Sequence, residues 1–299
     1  MDNVTELLVK GAAGAGGGAT YVDDVFSTYL FNGNSGTQTI TNGIDFAGEG
    51  GMVWCKTRGS GTHYEIADTE RGTTNPRVLR SNETDAEVNG DVGNGFTSSG
   101  FSLSFTSGDV NWSPRPGVSW SFRKSPGFFD IVTYTGNGSA RTIAHSLGSV
   151  PGMIFVKRTS AARQWCVWHR NLTDNGRYLI LNSNYTQQGY SGNTDRWNNQ
   201  NPTATHLNIG TNDDVNENGA SYVAYIFAHD EQSYGENGDQ SIIKCGSYTG
   251  NGSESNGTVV NLGWEPQWLL VKNSTLGEHW GIIDSMRGLT DNGLSLIHI

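Results

Sequence analysis

Charge is scarce in this sequence, cysteine scarcer still, and long apolar runs are missing altogether. Charged residues make up 16% of the 299, so solubility rests on Asn, Ser, Thr and Gly rather than on a highly charged surface. The charge that is present runs acidic, with a formal net of -10, and the 19 Lys and Arg form no cluster. Such a chain repels a polyphosphate backbone, which argues against nucleic acid as a partner. Cys55, Cys166 and Cys245 are an odd number, sit in apolar contexts and lack metal-ligand spacing. They exclude a disulfide framework and read as small buried hydrophobes. No stretch approaches the roughly 18 consecutive apolar residues of a membrane-spanning helix, so membrane insertion is not expected. Residues 1–24 read as a flexible Gly/Ala-rich segment, with Ala and Gly where a secretory signal would need an apolar core. The run from Gly11 to Gly18 also lacks the Gly-Lys-Ser/Thr ending of a phosphate-cradling loop.

What the sequence has is glycine, 41 residues of it, and internal repetition. Tyr134-Thr-Gly-Asn-Gly-Ser139 recurs as Tyr248-Thr-Gly-Asn-Gly-Ser253, with a looser version at Tyr29-Leu-Phe-Asn-Gly-Asn34. Downstream of each comes an apolar run ending in lysine: Met52–Lys56, Met153–Lys157 and Trp268–Lys272. The lysines are spaced 101 and then 115 residues apart, and the aromatics Tyr64, Trp165 and Trp280 keep the same two offsets. Two landmarks in register mark a duplicated unit rather than chance. Val118-Ser-Trp-Ser-Phe122 and Val223-Ala-Tyr-Ile-Phe227 extend the match through the back half of two copies.

Within each copy, short period-two or continuous runs of Val, Ile, Phe, Trp and Tyr are bounded by Gly/Asn/Asp turns, which is the pattern of strands joined by hairpins. The expected architecture is all-β: tandem antiparallel β-sandwich or jelly-roll repeats, with the third copy truncated. The boundaries expected are 25–125 for repeat 1, 126–239 for repeat 2 and 240–293 for the truncated repeat 3, each full copy folding independently. Residues 294–299 resemble the translation of a sequencing-library adapter and are set aside from fold reasoning. Against that, Leu289–Gly293 repeats Leu172–Gly176, which would put a strand where Arg177–Ile180 stands in the second copy.

Phe128-Phe-Asp-Ile-Val-Thr-Tyr-Thr-Gly-Asn-Gly138, His145-Ser-Leu-Gly-Ser-Val-Pro-Gly152, Tyr222–Ala228, Glu265–Lys272, Val25–Tyr29 and Gly48–Met52 together carry a resemblance. In them the chain resembles a repeated domain of tail-fibre and other virion-associated proteins of tailed bacteriophages, especially marine ones. The resemblance spans nearly the whole chain. It implies a lectin-like β-sandwich, a virion location after assembly in the bacterial host cytoplasm, and other virion proteins as partners. It also implies a spacer or receptor-facing role toward a host-surface glycan or protein. It supplies no catalytic residues. A bacterial extracellular adhesin or carbohydrate-binding module is the alternative, and a homo-oligomer stays open.

The chemistry-bearing residues point away from catalysis. The seven histidines show no metal-ligand pair and no nucleophile–base–acid order, so no enzyme, cofactor or metal is expected. Asp68, Glu70, His169 and Asp284 fall at or near equivalent positions but change type between copies, and read as solvated strand ends. Asp213, Asp214 and Glu217, with Asn212 and Asn216, would suit a hard cation, though an acidic turn explains them equally well. Tyr64, Trp165 and Trp280 read as core. The candidate ligand-binding loop is Asn182 to His206, where Tyr185, Tyr190, Arg196 and Trp197 interleave aromatics with amides. Aromatic faces stack on apolar sugar faces while amides meet hydroxyls.

Overall fold

The computed structural model describes residues 19–58, 61–72, 77–253, 255–288 and 297–298. The Gly/Ala run at 11–18 and the Leu289–Gly293 repeat lie outside the described residues. Helix among the described residues is limited to single turns, α1 (Val22–Val25), α2 (Phe46–Glu49) and α3 (Asp213–Asn216). The other regular structure is antiparallel sheet, as the turn-rich, β-branched and aromatic sequence leads one to expect.

The first copy builds β1 (Phe26–Asn32), β2 (Gln38–Thr41), β3 (Gly51–Thr57), β4 (Glu65–Asp68), β5 (Arg77–Arg80), β6 (Val88–Asn89), β7 (Val92–Thr97), β8 (Gly100–Leu103) and β9 (Pro116–Arg123). The second builds β10 (Phe129–Thr135), β11 (Arg141–Ala144), β12 (Met153–Arg158), β13 (Cys166–His169), β14 (Arg177–Ile180), β15 (Gln188–Gly189), β16 (His206–Ile209) and β17 (Ser221–Phe227). Their main sheets have the same order, β1-β9-β3-β4-β5-β6 and β10-β17-β12-β13-β14-β15. Each is covered on one face by a small sheet, β2-β8-β7 or β11-β16. In the third copy β18 (Trp268–Val271), β19 (Gly281–Asp284) and β20 (Ile297–His298) repeat the middle of this order.

The register is shared as well. Met52 faces Asp68, Met153 faces His169 and Trp268 faces Asp284. In the first copy, Gly33 rather than Phe31 is the counterpart of Gly136. Its N–H donates to Arg115 O at 2.9 Å as Gly136 N–H donates to Ala220 O at 2.8 Å. Phe31, not Tyr29, therefore stands where Tyr134 stands, a slip of two residues from the alignment that matching tyrosines suggests. Both positions need glycine, because a Cβ would lie 2.4 Å from Trp112 O or 2.1 Å from Glu217 O.

Each main sheet buries both faces, which is why β3 and β12 read as continuous apolar runs rather than alternating ones. Val53 and Cys55 join Phe46, Phe101 and Leu103 in the first copy's own core. Met52 and Trp54 point the other way, into a core shared with Phe155, Trp165 and Tyr225 of the second copy and Trp280 and Ile282 of the third. Independent domains would keep separate cores. Here the copies are joined through one, because both faces of every main sheet are apolar.

The ties across that core run in a constant sense. Trp165 Nε1 donates to Arg80 O at 3.0 Å, and Trp280 Nε1 donates to Ile180 O at 2.9 Å. Glu87 N–H meets Thr159 O as Gln187 N–H meets Ser274 O, and Lys157 Nζ reaches Thr84 O as Lys272 Nζ reaches Asn184 O. Tyr225 donates its hydroxyl to Asp68 at 2.6 Å, and Trp120 Nε1 donates to Asp284 at 3.0 Å. Second reaches first, third reaches second, and first reaches third. The three copies thus close around a pseudo-threefold axis.

Candidate functional site

Two buried polar residues of the first copy organise a surface loop. Asp91 is fully buried, and its carboxylate accepts from the backbone N–H groups of Thr106, Ser107, Gly108, Val110 and Asn111. Asn111, also fully buried, accepts from Asn34 N and donates to Gly36 O and Ser104 O. Five N–H groups on one carboxylate fix the loop's backbone. Next to Asp91 lies Glu65, whose Oε2 accepts from Asp91 N and Val92 N and whose Oε1 accepts from the Ser107 hydroxyl. Burial, and then the Asp91 carboxylate, push the Glu65 carboxyl up to about 8, so it is held as the neutral acid at neutral pH.

The loop fixed in this way presents an aromatic pair to solvent. Phe105 and Trp112 are 42% and 47% exposed and meet edge-to-face with ring centroids 5.5 Å apart. The Arg115 guanidinium lies 5.1 Å from the Trp112 ring. An exposed Trp edge-to-face with a Phe and topped by a cation offers an apolar face with polar donors at its rim. Sequence reasoning missed this cluster. Its signal was there, since Val110-Asn111 matches Val215-Asn216 and the next residue is Trp112 in one copy and Glu217 in the other.

The loop chosen from sequence is divided by the structure. Tyr185 and Tyr190 are exposed and bracket the edge strand β15. Arg196 and Trp197 turn inward instead. Trp197, 2% exposed, packs with Ile143, Leu207 and Tyr222 in the second copy's own core. Arg196 pairs with Asp214 at 2.6 Å, donates to Cys166 Sγ and lies 3.8 Å from the Tyr178 ring centroid. Trp197 fills the gap between the main sheet and β11-β16 that an apolar side chain stabilises most. These two residues are thus corrected from ligand contacts to packing.

The acidic turn is also engaged. Asn212 caps α3 by accepting from Asp214 N, Asp213 pairs with Arg163, Glu217 with Arg158, and the Asn216 amide donates to Ser139 O and Gly210 O. The oxygen atoms proposed for a cation are held by arginines and backbone. Tyr64, Trp165 and Trp280 are buried, and all three cysteines are buried and free. Burial pushes the Cys166 and Cys245 thiols up to about 12, so they are unreactive thiols.

The equivalent positions read as solvated strand ends prove to be buried anchors. Asp68 and Asp284 are each 1% exposed and lie in the junctions between copies. Arg71 reaches Asp68 at 2.6 Å and Arg287 reaches Asp284 at 2.5 Å. Where the second copy has His169, the arginine position carries Leu172, which packs on the shared core. Burial holds the His169 imidazole near 4, hence uncharged. Acid and arginine therefore come and go together, because a buried carboxylate needs its counter-charge and a neutral imidazole does not. Only Glu70 of that set stays at the surface, paired with Lys124.

Among the described residues no group of three or more His, Cys, Asp or Glu is placed to hold a metal ion, and no helix is long and apolar enough to cross a membrane. No curated protein and no solved structure matches the chain. A family model does, over residues 22–296, and it describes a domain of unknown function, DUF7483. That match covers most of the chain, and the chain belongs to the DUF7483 family.

Proposed function

We propose that this chain is a structural component of a tailed-bacteriophage virion, a tail fibre or tail-associated protein, whose copies serve as a spacer and whose aromatic loops contact a host-surface glycan or protein receptor. Its partners are then other virion proteins, and it catalyses nothing. The observation that carries the binding role is the Phe105–Trp112–Arg115 cluster. Two large aromatics stay solvent-exposed on a loop whose backbone is fixed from below by Asp91, so little backbone ordering entropy is lost on binding. The spacer role is supported by the junctions, in which the same hydrogen bonds recur between copies one and two and between copies two and three. The virion location rests on the sequence resemblance.

The test is binding of the labelled full chain to a panel of marine bacterial cells and their extracted surface glycans. Saturable binding to some hosts, weakened at least about tenfold by Trp112→Ala with an unchanged melting temperature, supports the reading. Equal binding by the wild type and Trp112→Ala removes that cluster from the site. Loss on Tyr185→Ala with Tyr190→Ala would then place the contact at the β15 edge. Uniform absence of binding leaves the spacer role alone.

A further inference from the structure

Glu65 and Asp91 place two carboxyl groups side by side beneath the Phe105–Trp112 loop, and both residues are fully buried. Five backbone N–H groups between Thr106 and Asn111 donate to Asp91, so Asp91 is the member of the pair that keeps its charge. A shell of N–H donors repels a metal ion, which leaves a proton as the cation available to the pair.

The titratable groups around Glu65 do not supply another. Cys55 faces it from β3 as a thiol that burial keeps neutral. Arg80 faces it from β5, but that guanidinium is engaged by Asp109 at 2.9 Å and Asp85 at 3.3 Å. Lys56 follows Cys55 onto the opposite face of β3 and donates to Thr62 O. Asp109, on the loop itself, adds a further acid. Glu65 is bonded only by Asp91 N, Val92 N and the Ser107 hydroxyl, the last at 2.6 Å. Two neighbouring carboxyls in so dry a place hold one proton between them, and Glu65 carries it.

The second copy holds its loop by other means. Cys166 faces Val156 as Glu65 faces Cys55, and Gly210 N donates to Arg196 O as Ser104 N donates to Asp91 O. A thiol and an arginine thus replace Glu65 and Asp91, and Arg196 bonds Asp214 of the loop above at 2.6 Å. An ion pair ties down that loop, which has Glu217 where the first copy has Trp112. The loop that carries the exposed aromatics is the one whose anchor needs a proton.

We propose that Glu65 and Asp91 form a proton-operated latch: a proton on Glu65 holds residues 105–111 against the sheet, and its loss as the pH rises releases them. The consequence for binding rests on the reading of that loop as a contact surface, since a released loop must be reordered by its ligand. The direction follows from the two states of Glu65. Burial, and then Asp91, push its carboxyl up to about 8 in the closed loop, whereas water returns it toward the ordinary 4.5 in the open one. Between these values the closed loop holds a proton that the open loop gives up, so closure is favoured most at acid pH and progressively less up to about pH 8.

Hydrogen exchange of the full chain from pH 5 to 8, corrected for the pH dependence of the intrinsic rate, tests the latch without any ligand. Amides 105–111 should exchange by a local opening, with less protection than those of β12, and their protection should fall at least about tenfold across the range. Residues 211–216, over Cys166 and Arg196, should show no such fall. Glu65→Gln keeps the shape of the neutral acid and should make the protection of 105–111 independent of pH. Ser107→Ala keeps both carboxyls, removes the hydroxyl that bonds Glu65, and should lower protection of 105–111 at pH 5 while leaving β12 unchanged. Loop amides that exchange only as fast as β12, a flat pH profile, an equal fall at 211–216, an unaltered profile in Glu65→Gln or unaltered protection in Ser107→Ala would each overturn the latch. Failure of the chain to bind any glycan leaves these exchange results standing, and a flat exchange profile leaves the aromatic contact standing, so the two readings fail separately.

Discussion

Asp284 and Arg287 illustrate how a residue's role follows from its partner. Both side chains are essentially without solvent, so removing one leaves the other as an isolated charge in an apolar junction. Arg287→Leu should lower stability by about 3 kcal/mol in denaturant unfolding. Adding Asp284→His, which recreates the His169–Leu172 arrangement of the second copy, should recover most of that loss. A double variant no better than the single would show that the pairing of types is incidental. Glu65 gives a test in pH. Its carboxyl has an ordinary value of 4.5 and stands at about 8 when folded, so between these the folded state holds a proton the unfolded state has released. Stability contributed at acid pH is therefore lost as pH rises through that window. Thermal melts from pH 5 to 8 should show it, and Glu65→Gln should flatten the slope; an unchanged slope would exclude Glu65 as its source. The sequence made the aromatic series Tyr64, Trp165 and Trp280 legible as core, because period and position sufficed. It did not make Arg196 and Trp197 legible, because inward and outward residues look alike in a loop whose backbone path is set by distant partners such as Asp214 and Leu207.

At the scale of elements, strand identity was legible wherever a run was apolar on both faces. β3 and β12 end one residue past the repeated lysine and β18 one residue short of it. What the sequence concealed was which face meets what, since a strand buried on both sides carries no alternation to separate its own core from a neighbour's. The anchors Asp68 and Asp284 were misread for that reason, as polar residues at strand ends are solvated unless another sheet lies beyond them. The glycines at the turn before β9 and β17 extend the point. Gly33→Ala and Gly136→Ala each place a methyl against a carbonyl oxygen at 2.4 or 2.1 Å and should cost about 2 kcal/mol, whereas Gly250→Ala should change the melting temperature of the free chain by less than a degree or so. Equal losses at all three positions would mean that glycine is required there for backbone freedom rather than for close approach.

For the whole molecule, the shared core decides what can stand alone. A separated second copy, residues 126–239, keeps its own core around Ile154, Val156 and Leu207 but bares Phe155, Trp165, Val167, Tyr225 and Phe227 on the opposite face. It also loses the acceptors of Trp165 Nε1 at Arg80 and of the Tyr225 hydroxyl at Asp68, leaving those donors at a surface built to be dry. An exposed aromatic face of that size drives self-association or loose packing. The fragment should retain strand-type circular dichroism yet bind a hydrophobic dye, melt without a sharp transition and aggregate at concentrations where the full chain stays dispersed. Residues 19–288 should melt as one cooperative unit. If instead the fragment were monomeric, dye-silent and cooperative, the interface would be a docking surface between domains that fold first and meet afterwards. The apolar inner faces of β12 and β17 would then have to be stabilised by contacts other than those the copies make with one another.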